Sequence, residues 1–219
     1  MTDGLYAAFT PAVKKYRRIL LYIQGSPDPD AIASSHAIKI ILSKLHIESE
    51  IISPKKISLS QNRALVRSLD IPLKTGIKAD PGKFDAYIIT DFQSNIINGI
   101  TEKLPCAAHI DHHEPDCTVT DSDFSLVRPD SGSTSSLVAH ILRQADTEFS
   151  KDEMRSMATA LMFGIQTDTD DFHHTSVIDI EALRYLAEYA DMDVISKIEG
   201  IPLSPATMRL YRRALENTL

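Results

Sequence analysis

Apolar positions along this chain follow two patterns that divide it into a sheet-forming first part and a helical second part. In the first part, short unbroken apolar runs alternate with stretches in which apolar residues recur every three or four positions. The run Ile19-Leu20-Leu21-Tyr22-Ile23, closed by Gly25-Ser26-Pro27, predicts a strand buried on both faces of a parallel sheet. Residues 46–53, the strongly apolar 84–90 and the weaker 107–110 predict further strands. Between them, residues 31–45 place Ile32, Ala33, Ala37, Ile40, Ile41 and Leu45 at helical spacing, with Asp30 set to cap the first turn. Residues 58–69 predict another helix.

Beyond residue 130 the pattern is helical throughout, over 133–144, 152–166, 178–189 and 205–219. Strands alternating with helices favour parallel pairing. The expected fold is α/β, with a doubly wound, mainly parallel sheet in the first two thirds and a helical C-terminal part. No repeat, low-complexity tract or linker divides residues 1–219, so a single domain is expected. The last helical pattern is still running at Leu210-Tyr211-Arg212-Arg213-Ala214-Leu215, with no Gly or Pro to stop it, as in a fragment of a longer protein.

Composition narrows the partners. Of 219 residues, 23 are Lys or Arg and 30 are Asp or Glu, giving a net charge of −7, which argues against a surface that wraps long duplex DNA. A small nucleotide or a short single strand fits better. The two cysteines, Cys106 and Cys117, form neither a disulfide framework nor a CxxC pair. The N-terminus lacks the long apolar core of a signal peptide, and no segment reaches the roughly 18 apolar residues of a membrane span. A soluble, cytoplasmic protein is expected; a homodimer is left open.

Acidic and histidine residues gather where the predicted strands end: Asp28 and Asp30 after the first, Asp91 after the run 84–90, and Asp111-His112-His113 after 107–110. In open parallel sheets, ligands bind at these carboxyl ends. Pro27 and Pro29 favour extended backbone before them, which predicts Asp28 and Asp30 on an exposed loop where they can reach two neighbouring cations. Asp91 ends an apolar strand and needs a cation or several donors as partner. Carboxylates with one imidazole suit manganese or magnesium better than a structural zinc. Two such cations about 3.5–4 Å apart clamp a phosphoryl group and supply a hydroxide nucleophile.

Taken singly, each of these residues is more often a helix cap or turn residue than a ligand; together, they point to a site. In the later stretch Gly164 to His174, Asp168 is the favoured ligand, while Asp170, Asp171, His173 and His174 read as a solvated turn. The run Ser131-Gly132-Ser133-Thr134-Ser135-Ser136 opens a helix. Its free amides, with Ser133 and Thr134, serve equally as an anion site or as an ordinary N-cap.

In order, the segments 26–34 (SPDPDAIAS), 89–91 (ITD), 110–113 (IDHH), 131–138 (SGSTSSLV) and 164–169 (GIQTDT) resemble the DHH phosphoesterase superfamily. That superfamily includes RecJ-type exonucleases, short-oligoribonucleotide and pAp phosphatases, exopolyphosphatases and family II pyrophosphatases. The resemblance implies that Asp28 and Asp91 hold one Mn2+ or Mg2+, and that Asp30, Asp91, His112 and Asp168 hold a second, with Asp91 as the bridge. It further implies that His113 faces the substrate phosphate and that Asp111 supports it. The family's first motif usually begins with a histidine where this chain has Gln24, a neutral and weaker ligand; compensation by His109 or His173 is left open. The family's C-terminal substrate-binding domain has no counterpart here.

The expected activity is hydrolysis of phosphodiester or phosphomonoester bonds of small nucleotides or short oligonucleotides, because residues 58–73 resemble the oligoribonuclease branch. The alternatives are pyrophosphate or polyphosphate hydrolysis, and a degenerate, non-catalytic nucleotide-binding domain.

Overall fold

The computed structural model describes residues 4–114, 119–202 and 205–216. A single sheet of six parallel strands runs β1 (Arg18–Tyr22), β2 (Glu48–Ser53), β3 (Leu73–Thr75), β4 (Ala86–Thr90), β5 (Cys106–Asp111) and β6 (Ser125–Val127) in the chain. In space the order is β3-β2-β1-β4-β5-β6. The chain winds outward from β1 through β2 to β3, then returns to β4 beside β1 and winds the other way. This reversal makes the β1/β4 boundary a topological switch point, and it opens a crevice at the strands' carboxyl ends.

Within each central strand the side chains alternate between two cores. Ile19 and Leu21 of β1 and Ala86 and Ile88 of β4 face the larger core, while Leu20, Tyr22, Tyr87 and Ile89 face a smaller one. The larger core is covered by α1 (Leu5–Val13), α2 (Pro29–Lys44), α4 (Thr134–Arg143) and α5 (Lys151–Asp168). Ile97, Ile100 and Leu104 of the β4–β5 connection close the smaller one, with Phe84 beside the 3-10 turn Pro81–Lys83. Helix α3 (Ser60–Ser68) follows β2; α6 (Val177–Leu186), α7 (Met192–Glu199) and α8 (Pro205–Glu216) complete the chain.

Helix α2 lies between the sheet and α5, so it is buried almost all round, Ser34, Ser35 and His36 included. Ser35 Oγ pairs with Thr90 Oγ1 at 2.9 Å and His36 Nε2 with Ser156 Oγ at 2.8 Å, while His36 Nδ1 is buried without a partner.

Several expectations are corrected. Helix α2 starts at Pro29, and its cap is Asp28, whose Oδ1 accepts from the Ala31 amide at 2.9 Å; Asp30 sits inside the first turn. Proline at the first helical position pre-sets the helical φ and lacks only an amide that would be unpaired anyway, so it starts the helix rather than delaying it. Asp30 is consequently fully buried, not on an exposed loop. Helix α5 continues through Gly164 to Asp168, so Asp168 ends a helix instead of following one. The three-residue β3 and β6 and the helices α1 and α7 escaped the pattern: the strands are too short for a period, and Pro11 inside α1 reads as a breaker. Cys117 lies outside the described residues; Cys106 is a buried free thiol.

Gly164 lets α5 approach α2 beneath the crevice. A Cβ there would overlap Ser135 Oγ and lie 3.2 Å from Asp30 Cα. In an exposed helix, Gly→Ala stabilises by about 1 kcal/mol; here Gly164→Ala is expected to destabilise by about 1–3 kcal/mol through overpacking, measured by urea unfolding.

Candidate metal centre

Three strand ends, of β1, β4 and β5, and three helix ends, the starts of α2 and α4 and the end of α5, meet at the switch point. After β4 the chain turns sharply: Asp91 adopts a left-handed φ of 59° while its amide still donates to the Ile110 carbonyl at 2.9 Å. A non-glycine residue in this region is strained by about 1–2 kcal/mol. The turn carries a nearly buried carboxylate, whose Oδ1 accepts from Thr134 Oγ1 at 3.2 Å. His109 Nε2 pairs with the next carbonyl, Phe92 O, at 2.8 Å and so steadies the same turn from β5.

Asp30 is bound by the start of α4. Its Oδ2 accepts from the Thr134 amide and its Oδ1 from the Ser135 amide, each at 2.7 Å. The anion expected at this helix start is thus the protein's own carboxylate. Ser133 and Thr134 are fully buried, Ser133 Oγ caps the helix by accepting from the Ser136 amide, and the Thr134 and Ser135 amides are not free for a substrate. Of the two readings left open for this segment, the N-cap is the one the Ser133 hydrogen bond to the Ser136 amide displays.

His112 completes the cluster. Its Nδ1 donates to the Ser131 carbonyl at 3.4 Å, so that in the neutral ring the lone pair falls on Nε2. That Nε2 lies 3.1 Å from Asp168 Oδ2 and 3.5 Å from Asp91 Oδ1, yet it is buried without a well-directed hydrogen bond. One ligand atom from each of Asp30, Asp91, His112 and Asp168 falls within 4.8 Å of the others, and Asp91, His112 and His113 form a second such set. An imidazole nitrogen and three carboxylates converging on one point, with the nitrogen lacking a proton partner, fit a hard divalent cation. His113 Nδ1 donates to Asp111 Oδ1 at 2.8 Å, and its ring is 40% exposed, so Nε2 is left to face outward.

Asp28 belongs to neither converging set among the described residues. It lines, with Gln24, Gly25, Asp91, Phe92 and His113, an adjoining cavity of about 280 Å³. His109 and His173 do not replace the missing histidine at Gln24: the first is committed to Phe92, and the second bonds the Asp170 carbonyl on an exposed turn. Asp170, Asp171 and His174 are exposed on that turn as well. Ser131, Thr134 and His109 support the site in roles that the sequence did not give them: the Ser131 carbonyl takes His112 Nδ1, Thr134 Oγ1 donates to Asp91, and His109 Nε2 meets the Phe92 carbonyl.

The model of the DHH family, N-terminal domain, matches residues 18–165. The chain belongs to the DHH family. Asp111-His112-His113 is its namesake triplet. Over 207 residues this DHH chain is 33% identical to the Uncharacterized protein MJ1633 of Methanocaldococcus jannaschii, covering 93% of this chain and 41% of that protein's length. A solved exopolyphosphatase-related protein from Bacteroides fragilis shares the fold with a TM-score of 0.70 at 19% identity, over 98% of this chain and 65% of that one. CDC45 from Entamoeba histolytica aligns at a TM-score of 0.46 and 15% identity, over 85% of this chain and 37% of that one. Among the described residues no helix is long and apolar enough to cross a membrane.

The electrostatics of this DHH centre show what a cation would replace. Burial, with Asp168 nearby, pushes the Asp30 carboxyl up from 3.8 to about 7. Burial, followed by Asp30, Asp28 and Asp168, holds Asp91 well above the usual carboxylate range. Burial works against the charged form of His112, but Asp168 and Asp30 outweigh it and raise the ring from 6.5 to about 9. Without a cation, the cluster is therefore neutralised by protons. Groups with raised folded-state values stabilise the fold below their unfolded values and lose that contribution as pH rises: for Asp30 between 3.8 and about 7, for His112 between 6.5 and about 9. The stabilisation that Mn2+ adds over an EDTA-treated sample is expected to grow from about pH 5 to about pH 8, measured by thermal unfolding. An increment that shrinks over this range would contradict the assignment.

Proposed function

We propose that this chain is a metal-dependent phosphoesterase that hydrolyses phosphodiester or phosphomonoester bonds of small nucleotides or short oligonucleotides. The observation that carries this reading is the convergence of Asp30, Asp91, Asp168 and the unpartnered Nε2 of His112 at the switch point of a DHH domain. In this reading those four residues hold one divalent cation, Mn2+ or Mg2+. Asp91 is shared with a second cation held by Asp28 and, weakly, Gln24 on the side of the adjoining cavity. When bound, such cations supply Lewis-acid charge to a phosphoryl group and an activated water.

The chain's own residues do the rest. Asp111, fully buried, fixes the ring of His113 by accepting from its Nδ1, so that the ring stays turned toward the substrate phosphate beside the cluster. The α4 start holds Asp30 in place and keeps water from its oxygens.

Hydrolysis of pyrophosphate or polyphosphate is the second reading, favoured by the fold shared with the exopolyphosphatase-related protein. Against it, the cavity beside the centre is lined by Gln24, Ser26, Gln93 and Phe92 and by no Lys or Arg among the described residues. A polyanion needs several cationic groups there. A nucleotide, with one or two phosphates and an apolar base, needs fewer.

With Mn2+, the expected result is release of nucleotide or phosphate from short oligoribonucleotides or pAp in preference to pyrophosphate. Asp91→Ala is expected to lower turnover at least about 100-fold, as is His113→Ala. Gln24→His is expected to lower the Mn2+ concentration needed for half-maximal rate. Faster turnover of pyrophosphate or polyphosphate would favour the second reading. No turnover of any substrate at full metal occupancy would overturn both.

A further inference from the structure

Asp179 is a fully buried carboxylate on α6, far from the centre in sequence and contributing no ligand atom to it. It is the third residue of a capping box: Ser176 Oγ accepts from the Asp179 amide, and Asp179 Oδ2 accepts from the Ser176 amide at 2.7 Å. A Gln at this position also completes a capping box, and does so without a charge. The shorter Asp does something more here. Its two oxygens also take the Gly132 amide at 3.1 and 2.9 Å, and Oδ1 takes Ser131 Oγ at 3.3 Å. A Cβ on Gly132 would lie 2.6 Å from Asp179 Oδ2, so the glycine admits this contact.

The turn so held is the one on which the imidazole leans, since the Ser131 carbonyl is the partner of His112 Nδ1. Two residues further on, Asp30 grips the same turn through the Thr134 and Ser135 amides. We infer that Asp179 is a positioning residue of the metal centre: by fixing Ser131 and Gly132 it keeps His112 Nδ1–H on a carbonyl, and thereby His112 Nε2 aimed at Asp30, Asp91 and Asp168. Partners that orient a ligating histidine typically alter metal affinity 10–100-fold when lost. This inference rests on the metal-centre reading, whose failure is distinguishable because the wild type would then bind no Mn2+.

The test compares Asp179→Asn with Ser176→Ala. Asn keeps the size but presents an NH2 group to one of two amides, so either the cap or the grip on Gly132 is lost. Ser176→Ala damages the same helix cap but leaves the carboxylate on Gly132. Calorimetric titration with Mn2+ is expected to show affinity about 10–100-fold weaker for Asp179→Asn and changed less than about twofold for Ser176→Ala, at similar losses of thermal stability. In the Mg2+-loaded protein, the His112 ring-nitrogen shifts are expected to lose the pattern of a protonated Nδ1 in Asp179→Asn only. Gly132→Ala, which pushes the same turn from the other side, is expected to match Asp179→Asn and serves if that variant does not fold. Equal Mn2+ affinity in Asp179→Asn and Ser176→Ala, with wild-type nitrogen shifts in both, would overturn the inference.

Discussion

A buried carboxylate seated on the start of a helix organises this domain. Asp30 belongs to the first turn of α2, yet both of its oxygens are held by amides of α4, more than a hundred residues later in the chain. The partial positive charge of the α4 start offsets the cost of burying Asp30, and Asp30 satisfies amides that a helix start leaves unpaired. Neither element can shift without stranding a polar group in the interior. The close packing of α5 against α2 at Gly164 depends on the same register, and so does the place of Asp168 at the end of α5.

That constraint brings together groups that repel one another. Asp30, Asp91 and Asp168 lie around a single imidazole, and burial raises the proton affinity of Asp30 and Asp91. The fold tolerates this in two states, one with protons and one with a cation. The surrounding bonds suit the second, because Thr134, Ser131 and Asp111 each fix the direction of a ligand or neighbouring ring without consuming His112 Nε2. The strained φ of Asp91 at the end of β4 belongs to the same design, since a relaxed turn would carry its carboxylate away from the cluster.

Much of this was legible in the residues themselves. Unbroken apolar runs mark β1 and β4 because a parallel strand is buried on both faces, and helical spacing marks α2 through α6. Short edge strands such as β3 leave no period to read, and Pro11 hides α1. At the site, residue types and order picked out Asp30, Asp91, His112 and Asp168, which the fold brings together. What stayed hidden was pairing across distance. The amides at Thr134 and Ser135 read as open to an external anion, and only the folded chain shows Asp30 already there. In the same way Pro29 looked like a delay to helix entry, although it is the first helical residue and hands the cap to Asp28. Asp168 looked like a loop ligand because the helical pattern is read only to Gln166, whereas α5 runs on to Asp168 and the glycine within it answers to packing against Asp30 and Ser135.

The most direct test of the central claim is the location of bound cations in crystals grown with Mn2+, read from anomalous diffraction. The account requires a strong peak bounded by the side chains of Asp30, Asp91, His112 and Asp168, with any second, weaker peak on the Asp28 side of Asp91. Full-occupancy Mn2+ elsewhere, with no peak among those four side chains, would contradict it.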